Sequence, residues 1–258
     1  MAIMLPLAPP AYTPEQMRAR VLHQDGDVLI VDKPYGLPVH YGTKSTDHLE
    51  RYLPWLVAED APAPRLAHRL DKDTTGCLVL GLNEAASTRL GKLFLAGRVG
   101  KRYWAVVKGR PDGPEGRIDL PLIKRKVPGC SRMMVEDEGK QAVTEWRVMA
   151  SGADADGQVL SWLELTPRTG RMHQLRVHCE AMGWPILGDP IYGRDWRVEG
   201  GRDPAPAIPL HLHARWVALP WGPAAESLLT ATAPLSPHMA ATLERLGFPV
   251  ESAGPIQG

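Results

Sequence analysis

The chain has 258 residues, 44% hydrophobic and 23% charged, a globular composition long enough to bury one large core or two small ones. No apolar run of about 18 residues is present, and Met1-Ala2-Ile3-Met4-Leu5-Pro6 has no positive charge ahead of its short, proline-broken apolar patch, so neither a membrane span nor a signal peptide is expected. A net charge of +1 taken alone argues against a nucleic-acid binder, and three widely spaced cysteines, Cys77, Cys130 and Cys179, suit free thiols in a reducing, cytoplasmic setting rather than a disulfide framework.

In chain order, residues 1–20 read as a loose arm, rich in proline and without periodicity. Val28-Leu29-Ile30-Val31 is a first strand, and Cys77-Leu78-Val79-Leu80 a second, buried one. Asn83 offers an N-cap to a helix running to about Ala96, with Leu90, Leu93 and Phe94 on its apolar face and Gly97 as its stop. A strand over 101–108 places Tyr103, Ala105 and Val107 on one face. Residues 109–140 read as a long connection full of proline, glycine and charge, long enough to be functional. Strands follow near 142–149 and 158–166. A helix begins just after Gly170 and ends near Gly183, with His173, Gln174, Arg176 and Val177 in its first turn and a half. A strand near 212–219 and a helix near 237–246 close the chain, and the tail after Phe248 frays. Strands outnumber helices without regular βαβ alternation, so the class is α+β with a largely antiparallel sheet.

Three segments carry chemistry. His68-Arg69-Leu70-Asp71-Lys72-Asp73-Thr74-Thr75-Gly76 sets a carboxylate two residues after an arginine and feeds straight into the buried strand, which places Asp71 at the mouth of a rigid element. An Arg-x-Asp before a strand is also a common ion pair or cap. Asp71-Lys72-Asp73-Thr74 fits the Asp-x-Asp-x-Thr nucleophile loop of the haloacid-dehalogenase phosphotransferases as well, but that loop must follow a buried parallel strand, and residues 61–69 are polar and proline-broken. Thr166 to His178 hold three arginines and two histidines in thirteen positions without an acid; the N–H groups of a helix start and the arginines together suit phosphate. A zinc site on His173 and His178 is disfavoured, because a spacing of five separates them around a helix and no Cys/His cluster completes it. Lys101 to Gly109 alternates as a strand, in which Tyr103 alone would be an ordinary core residue. Residues 98–132 add ten Lys/Arg against three acids; such a run is commonly a solvated face, but beside Tyr103 and the 168–176 arginines it reads as an RNA phosphate track.

Together with Val31-Asp32-Lys33-Pro34-Tyr35-Gly36-Leu37-Pro38-Val39-His40 and Leu187-Gly188-Asp189-Pro190-Ile191-Tyr192-Gly193, these segments resemble the RluA family of RNA pseudouridine synthases, with Thr75 for the usual serine, Met172 for threonine and Leu175 for isoleucine. The five matches come in the family's order across residues 28–193. The resemblance implies a pseudouridine synthase core over 21–248 as a single catalytic domain, a long bent mixed sheet with flanking helices and a central cleft, preceded by an arm (1–20) and followed by a frayed tail (249–258). The family's common N-terminal RNA-binding module is expected to be missing. It implies Asp71 as the catalytic carboxylate, Tyr103 stacked on the extruded uracil, and Arg176 paired with Asp71. Arg69 fills the vacated stack, and His68, Arg171, His173 and Lys101 join it in RNA binding and base flipping, Arg171 as a phosphate or structural contact. The implied partner is structured RNA, tRNA and/or rRNA; the segment Glu115-Gly116-Arg117-Ile118-Asp119-Leu120-Pro121-Leu122-Ile123 resembles short members that lean toward both. Isomerisation needs no redox change or hydrolysis, so no metal and no organic cofactor is expected. The enzyme is expected to act as a monomer, away from membranes. An Asp-nucleophile phosphotransferase and a non-catalytic RNA-binding relative are the alternatives.

Overall fold

The computed structural model describes residues 8–42, 45–127, 130–193, 208–222 and 227–250. The chain forms two compact units, residues 1–100 with 214–234 and residues 101–213 with 235–258.

In the first unit the strand order is β1 (Val21–Gln24), β2 (Val28–Lys33), β4 (Thr75–Gly81) and β11 (Leu212–Pro220, in this unit from Ala214). The two-residue β3 (Arg65–Leu66) also pairs with β4, and β12 (Leu228–Thr232) with β11. The pairs β1–β2, β2–β4, β3–β4 and β11–β12 are antiparallel. Val28–Val31 and all of β4 are buried, which is why both read as unbroken apolar runs rather than alternating ones. Helix α2 (Glu84–Leu95) starts where expected: Asn83 Oδ1 accepts the Ala86 N–H at 2.8 Å, and Gly97 at φ +66° lies just past its end. Its Leu90 and Leu93 pack with Val28, Ile30, Val79, Val217 and Leu219, each such side chain stabilising by about 1.5–3 kcal/mol when fully buried.

The arm expected over residues 1–20 is not loose throughout. Pro14–Arg18 form helix α1, closed by a Thr13–Gln16 capping box, with Met17 buried. One helical turn is too short to leave a 3.6-residue repeat in a sequence, so its local signals are the cap and Pro14 at the first helical position. Residues 1–7, and 251–258 of the expected tail, lie outside the described residues. A 3-10 helix over Leu49–Leu56 was not expected either.

In the second unit β5 (Gly100–Lys108, from Lys101), β10 (Val159–Pro167), β9 (Val143–Ala153) and β6 (Glu115–Asp119) lie in that order, all antiparallel. The two faces of β5 enter different cores: Ala105 and Val107 pack with Leu163, Leu165 and Trp184, while Trp104 and Val106 pack with Trp162, Met239 and Leu243. Helices α3 (Gln174–Ala181) and α4 (Pro237–Arg245) complete the unit.

The stretch 109–140 is not one long connection. It holds β6 and an antiparallel hairpin, β7 (Leu122–Val127) with β8 (Cys130–Val135). Exposed Glu115, Arg117, Asp119, Lys124 and Lys126 interrupt the apolar residues of β6 and β7, while Ile118, Leu122 and Met133 are buried, so no long apolar run marks these strands. With twelve strands and four α-helices among the described residues, the class is α+β.

Candidate active site

His68, Arg69 and Asp71 share the loop between β3 and β4. The loop is held from several directions. Leu70 is buried between exposed Arg69 and half-buried Asp71, and Thr74 and Thr75 are buried as the loop enters β4. The Thr74 N–H donates to the Asp71 carbonyl at 3.2 Å. His68 Nε2 accepts the Val79 N–H at 2.9 Å, and its ring stacks on Phe94 at 4.1 Å. Gly76 follows at φ +101°, where a Cβ would collide with the Ala214 carbonyl oxygen, so only glycine fits there.

Beneath this loop lies Lys33, fully buried at the end of β2 opposite Gly76. Its Nζ donates to the carbonyls of Pro34 (2.8 Å), Leu37 (2.9 Å) and Lys72 (2.8 Å). That uses all three donors of an ammonium and ties the Pro34–Leu37 turn to the residue after Asp71. Burial pushes the Lys33 pKa down to about 7, against the pull of Asp73, Asp71 and Asp32.

Arg171, His173 and Arg176 meet at the start of α3. His173 is the N-cap rather than a first-turn residue, at φ +52°, and is the non-glycine residue with positive φ among the described residues. Its Nδ1 lies 2.9 Å from the Tyr192 hydroxyl. The helix start is fixed by Gln174, whose Oε1 accepts from the Arg171 N–H and Thr169 hydroxyl and whose Nε2 donates to Val143 O and Thr144 Oγ1. Arg171 is exposed and donates to the Gln141 carbonyl. Arg176 is buried and holds Asp189 in a two-pronged pair, Nε to Oδ2 at 2.7 Å and Nη2 to Oδ1 at 2.8 Å. Burial opposes ionisation of Asp189, but Arg176 and the Tyr192 and Ile191 amides hold its carboxyl below the usual range. His178 is engaged by Thr144 and the Leu120 carbonyl. Among the described residues no three His, Cys, Asp or Glu side chains are grouped to hold a metal ion.

Lys101 and Tyr103 occupy alternate positions of β5, with Tyr103 opposite Leu165 and packed on the core that includes Leu175. Desolvation lowers the Lys101 pKa. Several of the ten basic residues of 98–132 already have carboxylate partners: Arg117 with Asp119, Arg125 with Glu136 and Glu138, and Arg132 with Glu180. Lys124 and Lys126 are exposed on the hairpin.

Lys33, Asp189 and Tyr192 lie in the motifs at 31–40 and 187–193 but carry no role of their own in the sequence. The available signal was a lysine closing an apolar strand before a proline, and an acid and an aromatic inside a glycine-bounded turn. The phosphotransferase alternative lacks its scaffold, since the strand before Asp71 has two residues and pairs antiparallel.

A family model described as RNA pseudouridylate synthase matches residues 27–181. An RNA pseudouridine synthase of Zymomonas mobilis is 44% identical over 176 residues, covering 67% of this chain and 78% of that protein. The mouse (Mus musculus) mitochondrial pseudouridylate synthase RPUSD4 is 34% identical over 283 residues, covering 95% of this chain and 73% of that one. The solved structure of human RNA pseudouridylate synthase domain containing 4 matches with a TM-score of 0.74 at 31% identity, over 91% of this chain and 95% of that chain. The chain belongs to the RNA pseudouridylate synthase family, isomerases that convert uridine to pseudouridine in RNA.

Proposed function

We propose that this enzyme isomerises uridines of structured RNA, tRNA and/or rRNA, with Asp71 as its catalytic carboxylate. The observation that carries the reading is the bracing of the Asp71 loop, by Leu70, by the buried threonines and by the Lys33–Lys72 hydrogen bond, which holds a half-buried carboxylate on a rigid support. In the reaction the bond from ribose C1′ to uracil N1 breaks, a bond from C1′ to C5 forms, and a proton passes from C5 to N1. Nothing is oxidised and no water is consumed.

A uridine in folded RNA reaches such a carboxylate by leaving its stack, at a cost of a few kcal/mol. Arg69, exposed beside Asp71, is suited to the vacated position, because a guanidinium plane replaces a base and pairs with phosphate. His68, stacked on Phe94, fixes the backbone next to Arg69. Tyr103 and Arg176 are the uracil-stacking ring and the active-site guanidinium implied by the family motifs, with Lys101, Arg171 and His173 as RNA contacts. The buried thiols of Cys77 and Cys179 suit a reducing compartment, which we take as the cytoplasm.

The test is single-turnover conversion of transcripts carrying candidate uridines, mapped by carbodiimide chemistry. Asp71→Asn keeps the shape but cannot act as nucleophile or base. It should convert less than about one part in a thousand of the wild-type rate, with RNA affinity within about threefold. Turnover above that level removes Asp71 from the chemistry.

A further inference from the structure

Tyr192 links three structures in the second unit. Its hydroxyl accepts the Met133 N–H of β8 at 3.1 Å and meets His173 Nδ1 at 2.9 Å. Two guanidiniums contact its ring, Arg132 at 4.6 Å and Arg176 at 5.2 Å from the centroid. Two like charges on one ring are tolerable because each has its own carboxylate, Glu180 for Arg132 and Asp189 for Arg176. The Tyr192 N–H donates to Asp189 as well. At 1% exposure, a phenol is a costly filler unless its hydroxyl is used, and here it joins the hairpin to the left-handed cap of α3.

We infer that Tyr192 is a positioning residue for the isomerisation, acting through Arg176 and His173, and that it couples their arrangement to the β7–β8 hairpin. The inference rests on the reading of Arg176 as an active-site residue. The hairpin presents exposed Lys124 and Lys126, charges complementary to RNA phosphate. RNA held there pulls on β8, and β8 reaches the start of α3 through the Tyr192 hydroxyl, while Arg132 ties β8 to the last turn of α3 at Glu180 (2.6 Å) and to the Ile191 carbonyl (3.0 Å). The hairpin thereby supports turnover as well as affinity.

The experiment uses the full chain and measures RNA affinity, single-turnover rate at saturating enzyme, and melting temperature. Tyr192→Phe keeps the ring against both guanidiniums and removes the hydroxyl. It should lower the saturated rate about tenfold with affinity changed less than about twofold. Lys124→Ala with Lys126→Ala should lower both rate and affinity in the wild-type background, but only affinity in Tyr192→Phe, a non-additivity that mere packing does not produce. Additive rate losses, an unchanged Tyr192→Phe rate, or rate and affinity falling together with melting temperature overturn the inference. Arg176→Lys separates the two levels. If it keeps full turnover, the active-site reading of Arg176 fails and this inference with it. If it loses turnover while Tyr192→Phe does not, only the coupling fails.

Discussion

Replacing Asp189 by asparagine exchanges one carboxylate oxygen for an amide nitrogen and removes one charge, at a site where both partners are almost fully buried. The carboxylate accepts four hydrogen bonds, two from Arg176 and one each from the Ile191 and Tyr192 amides. Asparagine has one acceptor oxygen, so its NH₂ group must face a guanidinium N–H, donor against donor, and buried Arg176 loses the charge of its two-pronged partner. Breaking a buried pair in this way costs about 3–5 kcal/mol, and at ~2–4 °C per kcal/mol for a chain of this size the melting temperature should fall by roughly 10 °C. The pH dependence gives a second, independent reading. The folded pKa of Asp189 lies below the unfolded value, so its contribution is complete above about pH 4, near the unfolded aspartate pKa, and is lost as pH falls through the folded value. Calorimetric melting of wild type and variant should therefore show a gap at neutral pH that narrows on acidification below about pH 4. A variant within about 2 °C of wild type at pH 7 would refute the claim that this pair holds Arg176 in place.

Lys33 supplies the opposite case. Its folded pKa of about 7 lies below the unfolded lysine value, so between about pH 7 and 10 the unfolded chain binds more protons and stability rises with pH. In urea melts, wild type should gain stability relative to Lys33→Met on going from pH 7 to pH 9.5, and a constant difference would show that Lys33 does not titrate in the folded protein. Gly76→Ala should cost more than about 3 kcal/mol, because a strained φ and a collision with the Ala214 carbonyl act together. Gly36→Ala, at φ +75° with open space around it, should cost only about 1–2 kcal/mol. Equal urea midpoints for the two variants would contradict the close β4–Ala214 approach.

Elements with local signals were legible in the sequence. Asn83 and Gly97 bracket α2 because a cap and a left-handed stop are written in single residues, and the alternation placed Tyr103, Ala105 and Val107 on one face, where they share one core. Where a long-range contact decides, local pattern failed. His173 fits helical spacing yet sits outside the helix, because Gln174 is drawn to Val143 and Thr144, about thirty residues away in sequence. The hairpin of 122–135 hid behind charge, since its own Leu122 and Met133 form a core only together with Val177 and Tyr192 from distant parts of the chain. Family motifs singled out Asp71 and Arg176, but the hydrogen bonds that hold them became visible only in the fold.

Those supports follow one physical rule in both units. The Asp71 loop rests on a buried lysine, and buried Arg176 on a buried aspartate, each charge satisfied by several hydrogen bonds at fixed geometry. Such buried charges are poor sources of net stability, because desolvation offsets most of the Coulomb gain. What they supply is direction, since an ammonium that must serve three carbonyls, or a carboxylate that must serve four donors, leaves the backbone around it little freedom. A chain selected only for stability would do as well with apolar residues of the same volume at positions 33 and 189. Retaining ions there is the arrangement expected when neighbouring groups must keep a set geometry while an RNA nucleotide enters, reacts and leaves.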